Sequence, residues 1–178
     1  MNYLASIRAD QPGRELPCFD PCDGGINARV LFLLEAPGPK AVGSTFISRN
    51  NLDQSAKNMC LSLKAAGIAR TDTLLWNIVP WYVGNQGRIR PVNAKDIREA
   101  TPYLQELLAL LPHLEIIVLM GRKAQMMKPP IRELTALPIL ETFHPSPRVF
   151  NSMPTYKAHV ETTFRNVSAL LNRSRLSQ

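Results

Sequence analysis

Short apolar runs alternate with helical patterns along this chain, and that alternation constrains the fold more than any other feature. Val30-Leu31-Phe32-Leu33-Leu34 carries no polar residue. A run that short, without an in-out alternation, suits a strand buried on both faces, as strands of a parallel sheet are. Thr73–Val79 and Glu115–Met120 repeat the pattern, and Pro138–Thr142 is a weaker fourth run. Between them, Ala56, Met59, Cys60 and Leu63 recur at helical spacing before Gly67. This predicts a helix closed by a C′ glycine and capped by Asn50 or Asn51. Ile97, Ala100, Thr101, Leu104, Leu107, Leu108 and Leu111 trace the apolar face of another helix, which Asn93 can cap. A short helix is predicted around Ala124–Met127. A last one runs from about Tyr156, with Val160, Phe164, Val167, Leu170 and Leu171 on one side. Strands alternating with helices predict an α/β fold of three layers, α/β/α, around a central, mainly parallel four-stranded sheet.

A chain of 178 residues can bury a proper core as one domain, and no repeat, linker or composition shift divides it. We therefore read 1–178 as a single domain. Pro12-Gly13, Pro17, Pro21 and Asp23-Gly24-Gly25 predict an irregular segment over 1–28, and the polar residues 172–178 predict a frayed tail. The net charge of +7 fits a polyanionic partner, although charge speaks to association and not to fold. Three cysteines, Cys18, Cys22 and Cys60, are too few and too uneven for a disulfide framework. The opening MNYLASIRAD has no apolar signal core, and no apolar run approaches the length of a membrane span. These features lead us to expect a soluble, cytoplasmic monomer that makes no use of a membrane.

In open parallel sheets, ligands bind outside the carboxyl ends of the strands. The residues that follow each predicted strand therefore matter most. They are Glu35-Ala36-Pro37-Gly38-Pro39, then Asn77 to Pro80-Trp81, then Gly121-Arg122-Lys123, then Phe143-His144-Pro145-Ser146-Pro147-Arg148. The fold reading brings one acid, one amide, one imidazole and three bases to a single edge.

Those segments, in that order, resemble the uracil-DNA glycosylase superfamily. LEAPGP (34–39) looks like its first motif, in the Glu-Ala-Pro-Gly form of the family 4 branch. GSTFISRN (43–50) is similar to the stretch carrying the aromatic that stacks on a flipped base. LLWNIVPW (74–81) resembles the segment with the base-reading asparagine. IIVLMGRKA (116–124) looks like the third strand and its glycine turn, and HPSPR (144–148) resembles the second motif. The resemblance implies a DNA partner containing uracil or another deaminated base. It implies that Phe46 stacks on that base, Asn77 reads its edge, and His144 faces uracil O2. It also puts Glu35 near the sugar and the attacking water, with the backbone of Ala36, Pro37 and Gly38 against the nucleotide. Ser146, Arg148, Arg122 and Lys123 would meet DNA, Arg148 at the wedge position.

The departures are informative. Ala36 stands where several relatives carry Asp or Asn to orient water, so that task passes to Glu35. The wedge is commonly leucine, whereas Arg148 is charged. Family 4 enzymes hold a four-iron cluster on four cysteines, but Cys18 and Cys22 have three residues between them instead of two, and Trp81 and Ala100 stand at the remaining positions. Two thiolates do not hold such a cluster, so no metal and no cofactor are expected.

The same residues make chemical sense together. A base must leave the helix before its glycosidic bond can be reached. A buried Asn can accept from N3–H and donate to O4 of uracil, a pattern that cytosine reverses. A neutral histidine can donate to the departing anion at O2, and a carboxylate can stabilise the cationic sugar or take a proton from water. Two other readings fit the sequence: a glycosylase for hypoxanthine or xanthine, and a catalytically silent nucleic-acid-binding relative. Lys40, Arg49, Arg88, Arg90 and Arg165 are further candidate phosphate contacts.

Overall fold

The computed structural model describes residues 3–84, 90–152 and 154–176. Helix α1 (Tyr3–Asp10) leads into a two-residue strand, β1 (Cys18–Phe19), and a single 3-10 turn at Gly25–Asn27. Strand β2 (Val30–Leu34) is followed by α2 (Pro39–Ser44), β3 (Phe46–Ile47) and α3 (Gln54–Ala65). A second 3-10 turn precedes β4 (Thr73–Asn77), and α4 (Ala94–Ala109) leads to β5 (Ile116–Met120). Two short helices, α5 (Arg122–Gln125) and α6 (Lys128–Leu134), precede β6 (Ile139–Thr142). The described chain closes with α7 (Pro147–Ser152) and α8 (Pro154–Leu176).

The four apolar runs form one sheet in the order β4-β2-β5-β6, and every pairing is parallel. Val30 lies opposite Thr73 on one side and Ile116 on the other, which puts β2 at the centre. Val30, Leu31, Phe32 and Leu33 are fully buried, as an unalternated apolar strand in a covered parallel sheet must be. Phe32 meets Phe164 of α8 with ring centroids 5.2 Å apart. Phe19 stacks on Trp76 at 3.9 Å, and Tyr3 lies 6.2 Å from the same indole. Helices thus cover the central sheet as the apolar patterning predicts.

The chain ends depart from expectation. The segment expected to be irregular, 1–28, includes helix α1, which buries Tyr3 and Ile7, and strand β1, which pairs with β3; the stretches between them have turns and no longer element. The tail does not fray at 172. Arg29 donates to the Leu171 carbonyl and the Ser174 hydroxyl, and Arg175 pairs with Asp72 at 2.7 Å, holding the end of α8 against the sheet. Helices α2, α6 and α7 and the short pair β1–β3 are also additions. Each is too short to leave an apolar period in the sequence. The cap of α3 is Asp53, whose side chain accepts from the Ala56 amide at 2.9 Å, not Asn50 or Asn51. The cap of α4 is Asn93, which forms a reciprocal capping box with Asp96. Among the described residues, no helix is long and apolar enough to cross a membrane.

Candidate active site

The carboxyl ends of β2, β4 and β6 open onto a cavity of about 620 Å³, within the roughly 300–1,000 Å³ usual for small-ligand sites. Its wall includes Glu35, Ala36, Pro37, Gly38, Asn77 and His144, so residues from three separate segments converge as the strand reading requires. The hydrogen-bond ladder continues past the strands. Ile78 donates to the Leu34 carbonyl at 2.9 Å and Val79 to the Glu35 carbonyl at 3.1 Å. This fixes the Glu35 backbone beside Asn77 at the edge of the sheet.

The turn after Glu35 starts a helix. Pro39 is in its first turn, where a missing N–H costs nothing, and Gly38 is its N-cap. Gly38 has an ordinary extended conformation, but a Cβ added there would meet no protein atom within 4 Å. The glycine leaves that stretch of wall bare for something else to approach. Glu35 Oε1 accepts from the Val92 amide at 3.0 Å, which ties the carboxylate to the segment entering α4.

Asn77 is 5% exposed, and its side-chain amide has no hydrogen-bond partner among the described residues. Its polar atoms are reached from the cavity, where they are available to a ligand. His144 is half-buried on the same wall, and its ring also has no hydrogen-bond partner among the described residues. Burial pushes its pKa below the ordinary imidazole value, and the charges of Glu35 and Asp53 only partly oppose that. The ring is therefore neutral near pH 7 and can donate one N–H.

Two devices hold His144. Gly121 has φ of +89°, a conformation that L side chains rarely adopt, and its Cβ position lies 3.2 Å from the His144 Cβ. Its amide donates to the Thr142 carbonyl at 2.8 Å, locking the end of β5 to the end of β6. On the other side, buried Asn58 of α3 donates to the Pro145 carbonyl at 2.9 Å and accepts from Gln54 at 2.8 Å.

Other expected residues fall outside the wall. Phe46 does not reach it; the side chain is 37% exposed, and Ile47 lines the cavity instead. Alternation along β3 sends the two side chains to opposite faces. Arg122 and Lys123 begin α5, while Ser146 and Arg148 flank the start of α7; none of them lines the cavity. The Ser146 carbonyl accepts from the amides of Val149 and Phe150, both at 3.0 Å, so HPSP is a helix start. Arg49 is no phosphate contact. It is buried, 3.3 Å from Asp23, and bonded to Thr73. Arg90 lines the cavity while pairing through both nitrogens with Asp96 at 2.6 and 2.7 Å. Arg88 lies outside the described residues.

Sequence reasoning missed Asn51, Asp53 and Asn58 as site residues. The first two line the cavity and the last supports it. The signal for Asp53 was available, since an Asp before a helical period is a capping residue; two nearby asparagines competed for the same place.

The donors do not suit a four-iron cluster. Trp81 and Ala100 are fully buried, and Trp81 meets Tyr103 edge-on beneath the Arg14 guanidinium. Packed indole and methyl groups occupy the places where two thiolates would be needed. Among the described residues, no three His, Cys, Asp or Glu side chains gather as metal ligands.

The family model for the uracil DNA glycosylase superfamily matches residues 21–167. The chain belongs to that superfamily, whose enzymes hydrolyse N-glycosyl bonds. Among solved structures it is similar to a proposed uracil DNA glycosylase from Methanosarcina acetivorans, at 17% identity and a TM-score of 0.52, covering 79% of this chain and 91% of that one. It is also similar to a point variant of UNG from Nitratifractor salsuginis, at 17% identity and a TM-score of 0.46, covering 82% of this chain and 74% of that one. No curated protein sequence matches significantly.

Proposed function

We propose that this protein excises uracil from DNA by hydrolysing the bond between uracil N1 and the deoxyribose C1′, without a resident cofactor. One observation carries the reading. The unpartnered Asn77 amide shares a cavity wall with neutral His144 and with Glu35, in a chain of this superfamily. The amide of Asn77 accepts from uracil N3–H and donates to O4, a pairing that cytosine cannot satisfy without leaving buried polar groups unpaired. His144 donates to O2 as charge builds on the leaving base, where a fixed donor in a water-poor site counts most. The Glu35 carboxylate, steadied by the Val92 amide, faces the developing positive charge on the sugar. The backbone from Ala36 to Gly38 lies along the nucleotide, against the space that Gly38 leaves open. Ile47, Met59 and Pro37 supply apolar contact to the base. Arg122, Lys123, Ser146 and Arg148, all on segments that leave this edge of the sheet, are proposed to contact the flanking DNA backbone.

The test uses oligonucleotides carrying one uracil, single-stranded and paired, followed by alkaline scission at the abasic product. Scission at the uracil position supports the reading. Scission only with hypoxanthine or xanthine would keep the reaction and change the base. Salt-dependent binding with no turnover on any lesion would reduce the protein to a nucleic-acid binder.

A further inference from the structure

We propose that Asp53 is a second catalytic carboxylate of this site, the group that accepts the proton of the attacking water. The inference rests on the glycosylase reading above and assigns a role which that reading leaves vacant. Ala36 offers no polar group to a water, and the reading above gives the Glu35 carboxylate to the cationic sugar. Asp53 lies on the same cavity wall. Its Oδ1 caps α3 through the Ala56 amide at 2.9 Å, and Oδ2 has no partner among the described residues. One oxygen anchors the group and the other is left for a ligand.

The placement is rigid. The Asp53 amide donates to the Asn51 carbonyl at 2.8 Å, and its carbonyl accepts from Lys57 at 3.1 Å. Asn58, one turn further along α3, holds the Pro145 carbonyl beside His144. A single helix thus sets both the carboxylate and the imidazole, which is the preorganisation a hydrolytic site requires. Glu35 and Asp53 both act on His144 electrostatically, which places the imidazole within the field of both carboxylates.

The division of labour follows. The C1′–N1 bond breaks and its electron pair stays on uracil, where His144 donates to O2. The Glu35 charge faces the cationic sugar. The water oxygen forms the new bond to C1′, and the water proton passes to Asp53 Oδ2. Glycoside hydrolases likewise divide the work between two carboxyl groups, one of which activates the water.

Capping and catalysis can be separated, because Asn caps a helix about as well as Asp. Asp53→Asn keeps the cap and removes the base. We expect its melting temperature to match the wild type. Single-turnover excision should fall about 100-fold or more, as loss of a general base does, with Kd for the uracil oligonucleotide changed less than about threefold. Asp53→Ser keeps a cap and opens space, and added formate should restore part of its rate. Wild type active but Asp53→Asn within about threefold of it would overturn the role of Asp53 alone. So would a loss of rate matched by an equal loss of binding. Wild type inactive on uracil and on every other lesion overturns the reaction and this inference together. Activity on a different base moves the same comparison to that substrate, since water activation does not depend on the base.

Discussion

Replacing Gly121 with alanine separates the placing of His144 from its chemistry. At φ +89° and ψ 161° the residue sits where essentially only glycine is comfortable. The added Cβ would lie 3.2 Å from the His144 Cβ, so the histidine must give by a few tenths of an ångström. Backbone strain of this kind costs on the order of 1–3 kcal/mol. For a domain of this size each kcal/mol lowers Tm by roughly 2–4 °C, so a fall of about 2–12 °C is expected from thermal melts. An error of 1 Å at a reacting group costs about 100-fold, so a shift of a few tenths should cost on the order of 3- to 10-fold in rate. His144→Ala, which deletes the donor, should cost about 100- to 1,000-fold. The assay is single-turnover excision from a uracil oligonucleotide, run beside the melts. If Gly121→Ala melts lower but cleaves at the wild-type rate, Gly121 does not position His144. If neither quantity changes, the close approach itself is refuted.

Three further outcomes test the supports of the site. Asn58→Ala removes the donor to the Pro145 carbonyl and should cost about 1–3 kcal/mol, with excision slowed more than DNA binding weakened; equal effects on both would remove its positioning role. Asp23→Ala strands buried Arg49 without its ion partner and should cost about 3–5 kcal/mol, read as a large drop in Tm; a change of only a degree would contradict the pairing at 3.3 Å. Stability should also fall as pH drops below the ordinary imidazole value of about 6.5. His144 is depressed in the folded state, so the unfolded chain binds the proton first and the loss continues down to the native pKa. His144→Gln should flatten that part of the pH-stability curve, and an unchanged curve would contradict a buried neutral imidazole.

The central sheet was legible because β2 and β5 are continuous apolar runs and β4 has an apolar centre, a pattern that survives without any neighbour being known; β6, with Glu141 and Thr142, left the weakest signal. The convergence of Glu35, Asn77 and His144 followed, since parallel strands deliver their following residues to one edge. What stayed hidden depends on contacts distant in sequence. Arg49 reads as a surface base until Asp23 and Thr73 close around it. Asn58 looks like a polar residue on a helix until the Pro145 carbonyl arrives 87 positions later. Phe46 and Ile47 are neighbours in an apolar-aromatic stretch, and only the register with Cys18 and Phe19 decides which one faces inward. Helix α1 has only a weak apolar face, and its burial of Tyr3 and Ile7 depends on the Trp76 side chain beneath it.

The most direct measurement is single-turnover excision from a uracil-containing oligonucleotide by wild type and by Asn77→Ala. The account predicts cleavage by the wild type at uracil and not at cytosine, with a loss of at least about 100-fold in Asn77→Ala, as expected when a buried polar reader of the base is removed. Uracil excision that persists at the wild-type rate without Asn77, or no excision by the wild type, would contradict it.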